Sequence, residues 1–141
     1  MKQIHVTQSE RETRDVAKVF LQLLNGGEVV GLHGELGAGK TAFVKGVADG
    51  VGVDRPVRSP SYTLVNVYEV TFPVIDRLIH VDLYRLEDGS SVETLGFEQW
   101  VGDEGVVMFI EWPERAGVET DYLINIEYGD TPNERRITIS G

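Results

Sequence analysis

The chain has 141 residues, 41% of them hydrophobic, with no cysteine and a formal net charge of -10, a size that suits one domain, 1–141, and leaves no room for a separate substrate domain. The lack of cysteine excludes disulfides, thiolate metal sites and thiol catalysis, the three scattered histidines (His5, His33, His80) do not make a zinc site, and 13 Lys and Arg spread along the chain argue against broad direct binding to nucleic acid, which needs a concentrated basic surface. No apolar run approaches the roughly 20 residues of a membrane span, and Met1-Lys-Gln-Ile-His-Val-Thr7 lacks the apolar core of a signal peptide, so the expectation is a cytoplasmic protein without membrane contact.

In chain order, Lys2 to Val6 alternates weakly and predicts a first, edge strand. Ser9-Glu-Arg-Glu12 is a capping box, with Thr7 an alternative cap. It opens a helix whose apolar residues Val16, Ala17, Phe20, Leu21 and Leu24 recur at three and four, giving one buried stripe. Gly26 and Gly27 are expected to end it. Glu28 to His33 then predicts a short buried strand, and Thr41 to Ala48 a helix. Between them stands Gly34-Glu-Leu-Gly-Ala-Gly-Lys-Thr41, a full match to G-x-x-x-x-G-K-[ST] in the strand, loop, helix order that a phosphate-binding loop requires.

Each residue type in this loop has a physical reason. Gly34, Gly37 and Gly39 admit backbone conformations closed to residues with a Cβ, and with Glu35, Leu36 and Ala38 they bring backbone N–H groups around phosphate oxygens. The helix that starts near Lys40 adds its positive N-terminal end. Lys40 is expected to reach the β- and γ-phosphates and the Thr41 hydroxyl to ligate Mg²⁺. Ala42, next in the helix, completes the set expected at the phosphates.

Gly50, Gly52 and Asp54-Arg-Pro56 close the helix and open a loop. The loop carries three hydroxyls, Ser59, Ser61 and Thr63, where a segment sensing the γ-phosphate would sit. Tyr62 to Val70 and Asp76 to Leu83 read as two strands of a hairpin across Phe72-Pro73. Val92 to Trp100 reads as a short helix capped by Ser90 or Ser91, and Gly105 to Ile110 as a strand buried on both faces. Tyr122 to Tyr128 and Arg136 to Ser140 predict a terminal hairpin turning at Gly129-Asp-Thr-Pro-Asn133. The sum is an α/β domain of phosphate-loop type with few helices and a mixed, partly antiparallel central sheet.

Two carboxylates stand out. Glu111 follows the apolar run Val106-Val-Met-Phe-Ile110 and so falls at a strand's carboxyl end, where ligands of open α/β sheets collect. It can hold Mg²⁺ or position an attacking water. In Ile79-His-Val-Asp-Leu-Tyr-Arg85, alternation puts His80, Asp82 and Tyr84 on one face. Asp82 is then a second candidate for the metal or for general-base work, and the spacing does not decide which of the two ligates directly. His80 reads as structural, and Arg85 as a surface ion-pair partner. None of the four asparagines begins the Asn-Lys-x-Asp of guanine-specific proteins, so ATP is favoured over GTP. The adenine is expected near Thr7 and Ser9.

Four segments together resemble one family: Gly34 to Thr41, Ser59-Pro-Ser-Tyr-Thr-Leu-Val-Asn66, His80-Val-Asp-Leu-Tyr-Arg-Leu86 and Glu111-Trp-Pro-Glu114 are similar to the bacterial ATPase of tRNA threonylcarbamoyladenosine biosynthesis, TsaE. The resemblance implies an ATPase, slow alone, that binds two protein partners of the threonylcarbamoyl transferase complex. That complex acts on adenosine 37 of tRNAs reading codons that begin with A, and the ATPase meets tRNA only through its partners. It does not make the modification; its hydrolysis of ATP with Mg²⁺ supports repeated turnover. By position, Lys40 and Thr41 would hold phosphates and metal, and Glu111 and Asp82 would serve the metal and the attacking water. Ser59 to Thr63 would form the switch. Trp112 would lie near the nucleotide or the partner surface, with core packing the alternative. Ser61 and Tyr62 stand where the family often has Thr and Phe, and Ala42 where a hydroxyl is common; none of these removes a phosphate or metal contact. A non-catalytic nucleotide-dependent adaptor and a small-molecule kinase stand as competing readings, the second weakened by the lack of an Arg-bearing lid segment.

Overall fold

The helix start forms where the sequence marks it. Ser9 Oγ accepts from the Glu12 N–H at 3.1 Å, and Glu12 Oε1 reaches back one residue past the cap to accept from the Gln8 N–H at 2.9 Å, a shifted form of the capping box. This comes from a computed structural model, which describes residues 1–60, 64–86 and 96–141. The helix that follows, α1 (Glu10–Leu21), buries Thr13, Ala17, Phe20 and Leu21. It ends at Leu21, sooner than the glycine pair suggested. Gly26 has a φ of 96°, and a Cβ there would collide with the carbonyls of Glu104 and Val74. The glycine is needed for close backbone approach rather than to stop the helix.

Seven strands form one sheet: β1 (Lys2–Thr7), β2 (Val29–His33), β3 (Val65–Phe72), β4 (Ile75–Asp82), β5 (Val106–Glu111), β6 (Tyr122–Tyr128) and β7 (Arg135–Ser140). Their order is β1-β7-β6-β2-β5-β4-β3. The centre is parallel, with β2 between β5 and β6 and β4 beside β5. The flanks are antiparallel, β3 on β4, β7 on β6 and β1 on β7. Both predicted hairpins and the edge position of β1 are therefore present. The mixed, partly antiparallel sheet of the sequence reading is observed, with α2 (Lys40–Val51) as the second helix. Of the predicted helix Val92 to Trp100, a 3₁₀ turn at Phe97–Gln99 is described. Its first residues and its caps Ser90 and Ser91 lie outside the described residues, as do Tyr62 and the switch hydroxyls Ser61 and Thr63.

Two hydrophobic clusters hold the sheet. On one face α1 and α2 pack Ala17, Phe20, Phe43 and Val47 against Val30, Leu32, Phe109, Ile124 and Ile137. On the other, Ile79, Val81, Met108 and Ile110 meet Leu83, Leu86 and Phe97. The central strands are thus covered on both sides, which is why Val106 to Glu111 is buried throughout. The strands β1, β7 and β6 leave their outer face in solvent, with Ile4, Val6 and Leu123 exposed. The carboxyl ends of β2, β4 and β5, all parallel, consequently open on one edge of the molecule beside the start of α2.

Candidate functional site

The Gly34 to Thr41 segment joins the carboxyl end of β2 to the first turn of α2. Gly34 lies against the end of β6, where a Cβ would press into the Ile126 carbonyl. Gly37 and Gly39 have φ of 79° and 119°, values that only glycine adopts without strain. Lys40 is buried and spends its ammonium inside the loop, donating to the Gly34 carbonyl and to the Glu35 carbonyl at 2.9 Å. Its Nζ also sits 4.8 Å from the centre of the Trp112 ring. Burial pushes the Lys40 ammonium below its usual range, against the pull of Glu111, Asp82 and Glu114. An anion received at the helix N-terminus would relieve that imbalance.

The two predicted carboxylates come together. Asp82 and Glu111 are register partners on parallel β4 and β5, so both side chains emerge at the same edge. Glu111 is buried, and its Oε2 lies 2.6 Å from His80 Nε2 and 3.4 Å from Thr41 Oγ1. Asp82 is half-buried, accepting from the Tyr84 N–H at 3.0 Å and from Ser59 Oγ at 3.5 Å. Desolvation by burial raises its carboxyl above the ordinary range, opposed chiefly by the Tyr84 N–H and reinforced by Glu111. His80, read as structural from the sequence, is fully buried against Glu111. His80 Nε2 faces Glu111 Oε2, and the imidazole donates to the carboxylate in the tautomer that carries its proton on Nε2. His80 Nδ1 is buried with no hydrogen-bond partner among the described residues. The signal that could have found it is the alternation that already put His80 on the Asp82 face.

A cleft of about 530 Å³ runs over the loop. One end is lined by Ser59, Asp82 and Glu111 around Lys40 and Thr41. The other is lined by Ser9, Glu10 and Thr13 from the start of α1 and by Asn133 and Arg135 from the last hairpin. Leu36 to Ala42 form the floor. Gly34, Glu35, Thr7 and Trp112 are not in the wall. Thr7 is buried with its hydroxyl 2.9 Å from that of Thr13, and Ser9 lines the cleft while capping α1. Trp112 holds a left-handed backbone with φ of 61°. Its ring stands between those of His33 and Tyr84, at 6.0 and 5.5 Å, and meets the Lys40 ammonium. Arg85 is exposed and makes no ion pair among the described residues. Tyr128 and Arg135, which touch the loop backbone, were not foreseen.

The donor set at the Thr41 end fits Mg²⁺. A hydroxyl and two carboxylates, all hard oxygen donors, line this end of the cleft, and Mg²⁺ takes few protein oxygens and keeps several waters. His80 lies behind Glu111, where it orients the carboxylate in the manner of an outer-shell partner.

A family model described as "Threonylcarbamoyl adenosine biosynthesis protein TsaE" matches residues 7–137. The tRNA threonylcarbamoyladenosine biosynthesis protein TsaE of Aquifex aeolicus is 42% identical over 136 residues, which cover 95% of this chain and 92% of that protein. The protein of the same name from Bacillus subtilis is 37% identical over 139 residues, covering 95% of this chain and 82% of its own length. Among solved structures, Bacillus subtilis YdiB superposes with a TM-score of 0.74 at 32% identity, over 99% of this chain and 84% of that one.

Proposed function

Because this chain belongs to the family of threonylcarbamoyl adenosine biosynthesis proteins TsaE, we propose that it binds and hydrolyses ATP to support turnover of the complex that installs threonylcarbamoyl on adenosine 37 of tRNAs reading codons that begin with A. The observation that carries the hydrolytic reading is the register pairing of Asp82 with Glu111 beside Thr41 and Lys40. A loop that only gripped phosphates would need no such pair.

In this reading the cleft divides by chemistry. The start of α2 and the loop N–H groups take the phosphates, and Lys40, already desolvated, offers them the third donor of its ammonium beside the two it gives the loop carbonyls. Thr41, Glu111 and Asp82 would hold Mg²⁺, which when bound neutralises charge on the phosphate oxygens. His80 and Thr41 hold Oε2 of Glu111, and no described residue holds Oε1, which is left to orient a water. Asp82 is the alternative proton acceptor if Glu111 alone of the two carboxylates ligates the metal. The Ser9, Thr13 and Asn133 end receives the nucleoside. Ser59, which touches Asp82, belongs to a segment that responds to the γ-phosphate. The net charge of -10 supports contact with tRNA through the two protein partners rather than directly.

Glu111→Gln tests the proposal. It is expected to bind ATP with near-normal affinity and to lose hydrolysis about 100-fold or more, with tRNA modification stalling after the first turnovers. Modification that continued normally over many turnovers would instead establish an adaptor that needs nucleotide binding only. Efficient phosphorylation of a small molecule by the isolated protein would overturn both.

A further inference from the structure

We propose that Tyr128 and Arg135, at the facing ends of the last hairpin, are positioning residues that hold the phosphate-binding loop in its anion-receiving shape, an inference that rests on the nucleotide-binding reading above. A trans peptide is planar, so fixing its C=O on one side directs the N–H of the next residue to the other. Tyr128 Oη donates to the Leu36 carbonyl at 2.9 Å and thereby sets the Gly37 N–H. Arg135 Nε donates to the Ala38 carbonyl at 3.0 Å and sets the Gly39 N–H.

Gly37 and Gly39 are the loop's two left-handed residues. Without a Cβ, little else opposes a peptide flip beside them. The remaining peptides are tied from within. Lys40 holds the Gly34 and Glu35 carbonyls, the Ala38 N–H donates to the Glu35 carbonyl at 3.1 Å, and the Phe43 N–H donates to the Gly39 carbonyl at 2.9 Å. The two ties from the hairpin are thus the ones that the motif does not supply for itself.

The two side chains also hold each other. The Arg135 guanidinium lies 4.4 Å over the Tyr128 ring, and its Nη1 donates to the Pro132 and Glu134 carbonyls, both at 2.8 Å. Stacking plus three hydrogen bonds fixes a planar fork in a way that a lysine ammonium cannot reproduce.

The test measures binding of a non-hydrolysable ATP analogue with Mg²⁺ to the full chain by calorimetry, with urea unfolding alongside. Tyr128→Phe and Arg135→Gln are each expected to weaken binding about three- to tenfold, the effect of one lost hydrogen bond. Their urea midpoints should stay close to that of the unaltered protein. In steady-state ATP hydrolysis KM should carry most of the change and kcat the smaller share. Arg135→Lys, which keeps the charge, should bind as weakly as Arg135→Gln. Wild-type affinity in Tyr128→Phe, or its restoration by Arg135→Lys, would overturn the inference while leaving the nucleotide site intact. Failure of the unaltered protein to bind the analogue would overturn the nucleotide reading itself. If Arg135→Gln does not fold, Tyr128→Phe, which removes one hydroxyl at the surface, decides alone.

Discussion

Asp82 and His80 show how a single strand carries both the chemistry and its cost. Burial lifts the Asp82 carboxyl above its ordinary range, so in metal-free buffer the folded chain binds that proton more tightly than the unfolded chain. Stability therefore falls as pH rises from the unfolded value through the folded one, and the loss is complete above both. Asp82→Asn should raise the metal-free melting temperature near neutral pH while abolishing ATP hydrolysis, a gain in stability at the expense of function; calorimetric melts of the two proteins check it. His80 acts on a different term. His80→Phe keeps the ring but removes the donor 2.6 Å from Glu111 Oε2, leaving a buried oxygen short of a partner at a cost of about 1–3 kcal/mol. Hydrolysis should fall at least tenfold with ATP affinity little altered, a split that steady-state kinetics resolves. The motif exposed Lys40, Thr41 and the two carboxylates because each sits at a spacing with a chemical reason. Tyr128 and Arg135 had none to offer. Their bonds reach back 92 and 97 residues, and no local pattern marks a tyrosine that will meet a loop so distant.

At the scale of elements, the signals that worked were the local ones. The Ser9 capping box, the apolar stripe of α1 and the buried run of β5 each depend on neighbours in sequence. The end of α1 was misplaced because Gly26 answers to a contact with two remote carbonyls rather than to the helix. The crossing of α1 and α2 was likewise invisible in sequence. At Gly46 an added Cβ would stand 2.7 Å from both Ala17 Cβ and Arg14 Cα. In an exposed helix Gly→Ala gains up to about 1 kcal/mol. Here Gly46→Ala should destabilise the protein by at least about 1–3 kcal/mol through overpacking, lowering the urea midpoint. Because α2 begins at Lys40, the same change should weaken ATP binding as the helix start shifts against β4 and β5.

For the molecule as a whole, the site belongs to the parallel centre and the antiparallel flanks serve it. Strands β2 and β5, covered on both faces, should retain their amide protons until global unfolding, whereas edge strands β1 and β3 exchange through smaller openings; hydrogen exchange followed by mass spectrometry would show faster labelling of Lys2 to Thr7 than of Val106 to Glu111. The strand order has a further consequence for how such a chain comes into being. The phosphate-binding loop emerges from the ribosome long before Tyr128 and Arg135, and β6 lies beside β2, between it and β7. A partly synthesised chain can form α2 and display the Gly-rich motif, yet its peptides are not locked until the final hairpin docks. On the proposed function, full affinity for nucleotide therefore waits for the last hairpin, and a chain cut short before Tyr128 should bind ATP more weakly than the whole protein.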